Sequence, residues 1–232
     1  MKVVISLLVF LVSAHLAVAQ EEKVLLENEW VRVVYVKDGP GNKRPDHSHR
    51  DTFVYPLTDF QVRVTRPGDK PTDIDVRAGQ AAWFANVTHS EENIGKTAGE
   101  RLIIDIKKPA GSWKPVSPGD DPAKWPESLE AVTAAPKNHK IVFENERIRV
   151  LDVTVAPGEN EPLHMHRMPS LLYIIAEDDI QDFDASGKLL YDTRSQKAPP
   201  KTPYAEWMPP QAPHRVVNRS KNALRLVRVE VK

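Results

Sequence analysis

The chain contains an internal duplication, and this feature limits the folds open to it more than any other. The tripeptide Glu-Asn-Glu at position 27 superimposes on the same tripeptide at position 144 after a shift of 117 residues. That shift also places His47 on His164 and His49 on His166 without a gap. Histidines scattered by chance would not survive this superposition. The sequence therefore predicts two copies of one structural unit, each long enough to bury its own core.

Six histidines repeat one pattern, a His-x-His pair followed by a third histidine further along the chain. They are His47, His49 and His89 in the first copy, and His164, His166 and His214 in the second. Residues two apart on a strand point to the same face, so both rings of a pair face inward if either does. Three neutral imidazoles suit a divalent transition metal and leave coordination positions open. We expect one such metal site in each copy, although a His-x-His pair alone is often a surface or hydrogen-bonded pair.

Apolar residues alternate with polar ones in short runs that are separated by turn signals, and helical periodicity is absent. The runs include Val31, Val33 and Tyr35; Phe60, Val62 and Val64; Leu102, Ile104 and Ile106; Ile148 and Val150; and Leu224 and Leu226. Period-two alternation is typical of half-buried strands. The sequence predicts an all-β protein built from sandwiches or small barrels, and a barrel of this size can enclose one small ligand.

Composition divides the chain into four parts. Residues 1–19 combine an early lysine, an apolar run and a small-x-small site, which predicts a cleaved signal peptide and a periplasmic or secreted protein. Residues 20–107 and 139–232 are the two copies, and residues 108–138 form a proline-rich linker. We expect Trp113 and Trp125 to dock this linker on a barrel, and one helical turn at residues 126–130.

Cysteine and charge usage narrow the chemistry and the partners. The chain has no cysteine, so a metal must be held by nitrogen and oxygen ligands. It carries 32 basic and 32 acidic residues, without the basic cluster that nucleic acid or an anionic membrane surface would require. We expect a small-molecule ligand, no nucleic acid, and no membrane contact after signal cleavage. A homodimer formed through strand edges is an arrangement that the strands allow.

The motifs resemble those of the cupin superfamily. A glycine stands before each His-x-His pair, at Gly41 and Gly158, as in the first cupin motif. Three residues separate the third histidine from an asparagine, at Asn93 and Asn218, as in the second motif, and Pro209 lies at that motif's proline. The resemblance covers nearly all of residues 22–232. It implies a bicupin, with two tandem β-barrels of the double-stranded β-helix or jelly-roll type.

One departure from the cupin pattern bears on the chemistry. The glutamate that usually follows the His-x-His pair by four or five residues is missing, because Phe53 and Val54, and Ser170 and Leu171, stand there. What remains resembles the three-histidine sites of thiol dioxygenases and diketone-cleaving enzymes more than the sites of oxalate decarboxylases. The resemblance therefore favours Fe(II), with Ni(II), Mn(II) or Zn(II) as alternatives.

Several other polar residues lie near the motifs. Arg50 and Arg167 correspond under the shift and either hold a substrate carboxylate or serve as ordinary rim charges. Asp51 is either a substitute ligand or, as we favour, a solvated residue. The second copy has eight more residues between its second and third histidines than the first, and this excess carries Pro199, Pro200 and Pro203. We expect that excess, with Tyr204 beside it, to form a rigid lid and a substrate contact over the second barrel.

Three acidic or imidazole side chains are expected to face water. Glu91 and Glu92 follow the third histidine of the first copy, and His139 lies outside the repeated pattern at the end of the linker.

Three functions remain open from the sequence. The first is a metal-dependent enzyme, dioxygenase-like, that acts on a small chelating substrate. The second is a non-catalytic periplasmic module that binds a sugar or another small molecule. The third is a scaffold in which the histidines are vestigial. Of the two sites, we expect the second to be the active one if only one is active.

Overall fold

The fold is all-β, as the sequence predicts. The structure is a computed structural model, and it describes residues 20–109, 111, 113–115 and 121–232. The predicted signal peptide, residues 1–19, lies outside the described residues. Within these described residues, sixteen strands and one short helix account for the regular elements, apart from three single 3₁₀ turns. The apolar runs named above all lie within strands.

The first half of the molecule holds seven antiparallel strands in one sheet that curves around a cavity. The strands are β1 (Glu21–Glu27), β2 (Val31–Asp38), β3 (Lys43–Pro56), β4 (Phe60–Thr65), β5 (Thr72–Val76), β6 (Ala82–Asn93) and β7 (Gly99–Ile106). Their order in the sheet is β1-β2-β7-β3-β6-β4-β5. The long strand β3 pairs with β6 along most of its length and with β7 at its end, so it links the two sides of the curved sheet.

The second half repeats this arrangement as two facing sheets. Its strands are β8 (His139–Glu144), β9 (Ile148–Val155), β10 (His164–His166), β11 (Ser170–Ala176), β12 (Ile180–Asp184), β13 (Leu189–Asp192), β14 (Tyr204–Met208), β15 (Gln211–Asn218) and β16 (Leu224–Val231). The sheet orders are β10-β15-β12-β13 and β14-β11-β16-β9-β8. Every strand pair in the described part of the chain lies within one half.

The two halves share one hydrophobic core. On strands β2, β3, β7, β9, β11 and β16, alternate side chains point away from the cavity and towards the other half, among them Phe53, Leu102, Ile104, Ile148 and Val229. Aromatic rings add to this contact, since the Phe53 ring lies 5.5 Å from that of Phe143 and the Trp30 ring stacks 6.1 Å from that of Trp207. The halves are therefore held together by core packing between the apolar faces of these strands.

The linker wraps the second half with short helical elements. Two 3₁₀ turns, at Pro122–Lys124 and Glu127–Leu129, precede the helix α1 (Ala131–Ala134), so the predicted helical turn is confirmed. Trp113 packs against the shared core, as expected for a docked linker. None of the helices in the described ranges is long and apolar enough to cross a membrane.

Candidate metal centres and ligand cavities

The first predicted triad comes together where strands β3 and β6 pair. His47 is the direct cross-strand partner of His89, and His49 lies two residues further along β3 on the same face. The ring centroids are 4.7 Å apart for His47 and His89, 5.1 Å for His49 and His89, and 4.9 Å for His47 and His49. One ligand nitrogen from each ring lies within 4.8 Å of the others. The structure therefore groups all three residues around one point.

Local contacts and burial set the state of the rings in the first cluster. The Nδ1 atom of His47 lies 2.8 Å from the carbonyl oxygen of Pro45, which fixes an Nδ1–H tautomer and leaves Nε2 available to a metal. The Nε2 atom of His89 is buried and lies 3.3 Å from a carboxylate oxygen of Glu91. Burial, aided by the neighbouring His47 and His89, lowers the pKa of His49 to about 4. That ring is neutral at physiological pH, as a metal ligand must be.

Glu91 is buried in the first cavity, so its predicted solvent-facing position is wrong. Its side chain is 18% exposed, and its Oε1 lies 3.3 Å from Nε2 of His89. Its Oε2 accepts a hydrogen bond from Nη2 of Arg101 at 2.6 Å. Burial opposes ionisation, but the contacts with His89 and Arg101 outweigh it and lower the pKa of Glu91 to about 2. An ionised carboxylate therefore stands beside the first triad, although not at the motif's position.

The rings of the second predicted triad lie close together, but the ligand nitrogens that lie within 4.8 Å of one another in this half are those of His139, His164 and His166, without His214. His164 on β10 is the cross-strand partner of His214 on β15, and the two ring centroids are 4.5 Å apart. The ring of His166 lies 5.2 Å from that of His164 and 5.8 Å from that of His214. All three residues are buried.

His139 belongs to this cluster, so its predicted solvated position is wrong. It is 4% exposed, and its ring lies 4.6 Å from that of His164 and 5.1 Å from that of His166. Its ligand nitrogen lies within 4.8 Å of those of His164 and His166. The second half thus gathers four imidazoles. The duplication gave no sign of this, because the 117-residue shift places His139 on Glu22, which forms an exposed ion pair with Arg44.

Hydrogen bonds orient the rings of the second cluster. Nδ1 of His164 lies 2.9 Å from the carbonyl oxygen of Pro162, and Nδ1 of His214 lies 2.9 Å from that of Ala212. Nδ1 of His166 lies 2.8 Å from the buried Oε1 of Glu230. Each contact fixes an Nδ1–H tautomer and leaves Nε2 with a lone pair that a metal can bind.

Burial keeps the second cluster uncharged. It lowers the pKa of His164 to about 4 and, together with the neighbouring His164, lowers that of His214 to about 3. His139 has its pKa lowered to about 2, first by burial and then by His164. Neutral imidazoles with free lone pairs and no thiolate ligand form a donor set that fits a borderline divalent metal such as Fe(II), Ni(II), Mn(II) or Zn(II).

Each cluster opens on a cavity inside its half. The first cavity measures about 200 Å³ and is lined mainly by apolar residues, including Phe60, Val64 and Phe84. The second measures about 420 Å³ and carries several acidic residues among apolar ones. Pro200 lines the second cavity, as expected for a lid formed by the additional residues of this half.

The three predicted substrate contacts are placed differently from one another. Tyr204 lines the second cavity, and its hydroxyl donates to Oε2 of Glu177 at 2.7 Å. Arg167 is turned to the linker, where its guanidinium pairs with Glu130 at 3.0 Å and donates to the carbonyl oxygens of Pro122 and Trp125. Arg50 is exposed and is not among the residues that line the first cavity.

Asp51 forms an ion pair with a residue of the second half. Its backbone has a φ of +48°, and its carboxylate lies 3.4 Å from the guanidinium of Arg147 in the second half. The side chain is 34% exposed, in keeping with the favoured solvated position, and it is not among the lining residues of the first cavity.

Comparison with solved structures identifies the architecture. No family model matches the chain, and no curated protein matches it. An oxalate decarboxylase variant from Bacillus subtilis superimposes with a TM-score of 0.58 at 16% identity, covering 91% of this chain and 72% of that one. The chain has the cupin fold. At this identity the similarity shows the fold of both halves and leaves their chemistry to the residues themselves.

Two further structures belong to the same group. One, which concerns the Mn(II) centres of Bacillus subtilis oxalate decarboxylase, has a TM-score of 0.54 at 16% identity and the same coverage of 91% and 72%. A cupin domain from Bordetella pertussis Tohama I is 23% identical and covers 38% of this chain and 94% of its own, with a TM-score of 0.36. The oxalate decarboxylase structures confirm the predicted jelly-roll fold.

Proposed function

We propose that this cupin-fold protein binds a divalent transition metal in each half, and that it is a metal-dependent, dioxygenase-like enzyme acting on a small chelating substrate. The observation that carries the proposal is the arrangement of free ring nitrogens. In the second half, three rings give their Nδ1–H to fixed acceptors, and their lone-pair nitrogens are left at the cavity. Such outer contacts are typical of histidines that hold a metal.

The two sites would hold the metal with different donor sets. The first offers His47, His49 and His89 together with the carboxylate of Glu91. The second offers His164, His166 and His214, with His139 as a fourth imidazole. A metal held by histidines would supply open coordination positions where a chelating substrate binds. The cavities would then orient the substrate and exclude water.

The metal assignment is tested by analysing untagged protein after anaerobic reconstitution with Fe(II), Ni(II), Mn(II) or Zn(II). We expect up to two equivalents of one metal per chain. His49→Ala should remove metal from the first site only, and His166→Ala from the second only. The matched control is Arg50→Ala, an exposed neighbour of His49 that should keep both equivalents. Protein that binds none of these metals would overturn the proposal.

The enzymatic part requires a separate measurement. Metal-loaded protein should consume O₂ in the presence of a chelating substrate, and His166→Ala should abolish that consumption. Full metal occupancy without turnover of any chelating acid or diketone would favour the non-catalytic binding module. The second cavity supports that alternative too, since its volume of about 420 Å³ is typical of small-molecule sites. Export to the periplasm, or secretion, and a homodimer both stay predictions.

A further inference from the structure

The second cavity has an acidic end away from the histidines. Glu177 follows the last residue of β11, and Glu206 lies on the neighbouring strand β14. Tyr204 donates to Glu177, and the pKa of Tyr191 is raised to about 12, first by burial and then by Glu177. Burial raises the pKa of Glu206, and the nearby Glu177 raises it further. Two carboxylates and two tyrosine hydroxyls therefore line this end together.

The duplication supplies an internal comparison for these acids. Glu206 pairs with Leu172 across β14 and β11, in the position that Ala82 occupies opposite Val54 in the first half. Asp182 pairs with Val216, two residues after the third histidine of its triad. The corresponding residue of the first half, Val64, pairs with Glu91, which follows His89 by two residues. Glu206 and Asp182 thus stand where the first half has a small or apolar side chain.

One further polar atom of the second cavity is buried without a partner. Oδ1 of Asp182 has no hydrogen-bond partner among the described residues, whereas Oε1 of Glu161, which is 3% exposed, lies 3.3 Å from Nδ1 of His139. Under the 117-residue shift, Glu161 corresponds to Arg44 of the first half. A buried carboxyl oxygen without a partner costs free energy that a bound donor group would recover.

Positive charge in this cavity is scarce. Among its described lining residues, Arg228 is the one permanent cation, against four carboxyl groups, of which burial raises the pKa of Glu161 to about 8 and that of Asp182 to about 7. The Arg228 guanidinium donates to Ser170 at 3.0 Å and to Gln211 at 2.6 Å and lies 3.7 Å from Glu230, while its buried Nη2 has no hydrogen-bond partner among the described residues. A bound metal would add positive charge only at the histidine end.

We propose that the second cavity binds a small molecule that carries a protonated amine, with the ammonium group at Glu177 and Glu206. This inference deepens the proposed function. It rests on that function only for the other end of the ligand, which would face the histidines. The hydroxyl of Tyr204 and the two carboxylates can accept all three ammonium protons.

The test uses two probes that differ in one group. We would titrate metal-free protein with 4-aminobutan-1-ol and with 1,4-butanediol, by calorimetry or by NMR. The amine should bind at least about tenfold more tightly than the diol, because a charge-assisted hydrogen bond in a dry site is stronger than a neutral one. Equal affinity, or tighter binding of the diol, would overturn the inference and indicate a hydroxylated ligand.

Variants that restore the first-half residues sharpen the test. Glu206→Ala should weaken binding of the amine roughly 10- to 100-fold, and Asp182→Val should weaken it less, while neither changes binding of the diol by as much. The control is Asp178→Asn, which removes an exposed carboxylate next to Glu177 that is not among the cavity's lining residues, and it should bind like the wild type. Unchanged amine binding by Glu206→Ala would contradict the assignment.

Metal content separates this inference from the proposed function. Glu206→Ala and Asp182→Val should keep the wild-type metal content while losing amine affinity. A protein that binds metal but shows no preference for the amine refutes the inference alone. A protein that prefers the amine but takes up no metal supports the inference and refutes the metal proposal.

Discussion

Glu230 neutralises buried arginines behind the second histidine cluster, and replacing it with glutamine tests that role. The side chain is fully buried, at 0% exposure. One carboxylate oxygen accepts from Nε of Arg149 at 2.5 Å, and the other lies 2.8 Å from Nδ1 of His166. Arg228 lies 3.7 Å away. Glutamine keeps the volume but removes the negative charge that faces two buried guanidinium groups.

The expected effect has two parts. Breaking a buried ion pair costs about 3–5 kcal/mol, because the remaining charge stays buried without compensation. Arg149 keeps its second partner, Glu130, at 3.0 Å, so we expect a loss near the lower end, about 3 kcal/mol. His166 also loses the carboxylate that fixes its tautomer, and metal affinity at the second site should fall about 10- to 100-fold.

The matched control lies at the same position in the first half. Asp105 pairs across strands with Arg32, as Glu230 does with Arg149, but its side chain is 35% exposed and its distance to Arg32 is 3.9 Å. Asp105→Asn should therefore cost about 1 kcal/mol or less. Urea denaturation of the metal-free proteins gives both values, and titration with the metal gives the affinities. A Glu230→Gln protein as stable as Asp105→Asn, with unchanged metal affinity, would refute this reasoning.

Three other predictions address the fourth imidazole, the pH dependence and the shared core. His139→Ala should weaken metal binding in the second half while leaving the first site filled, as measured by metal analysis; an unchanged affinity would show that this ring is not a ligand. Because folding lowers the pKa of His164 to about 4 and that of His49 to about 4 from an ordinary value near 6.5, the unfolded chain binds more protons below that value. The free energy of unfolding of the metal-free protein should therefore be highest above pH 6.5 and fall as the pH drops towards 4. At pH 5 the loss should be about 2 kcal/mol for a fully buried ring and less for His49. Urea midpoints that do not change between pH 7 and pH 5 would contradict this. Phe53→Ala should lower the free energy of unfolding by about 3–5 kcal/mol, because its fully buried ring packs on Phe143 of the other half. In calorimetry it should lower the unfolding temperature of both halves together. A transition that leaves the second half unaffected would show that the core is not shared.

Sequence patterns were sufficient for the fold and for the position of the histidines on it. The period-two runs are visible in the sequence because successive side chains of a strand point to opposite faces, and the duplication is visible because the same spacings recur. His47 and His89, forty residues apart in sequence, could be placed together because the same pattern recurs around His164 and His214. The repeat therefore allowed residues far apart in sequence to be predicted as neighbours from a single chain.

Residues outside the repeat could not be placed in this way. His139 and Glu161 have no matching residue types in the first half, so the superposition carried no information about them. Glu91 did offer a signal, because it shares strand parity with His89 and so faces the same cavity. Arg167 could not be assigned to the linker from sequence, since its partners include backbone carbonyl oxygens that no side-chain pattern reveals.

The most direct test of two metal centres is a metal-edge anomalous difference map from crystals of the reconstituted protein. We expect one peak within coordination distance of the ring nitrogens of His47, His49 and His89, and a second among those of His164, His166 and His214. Anomalous density at neither cluster, in crystals grown from protein shown to contain stoichiometric metal, would contradict the account.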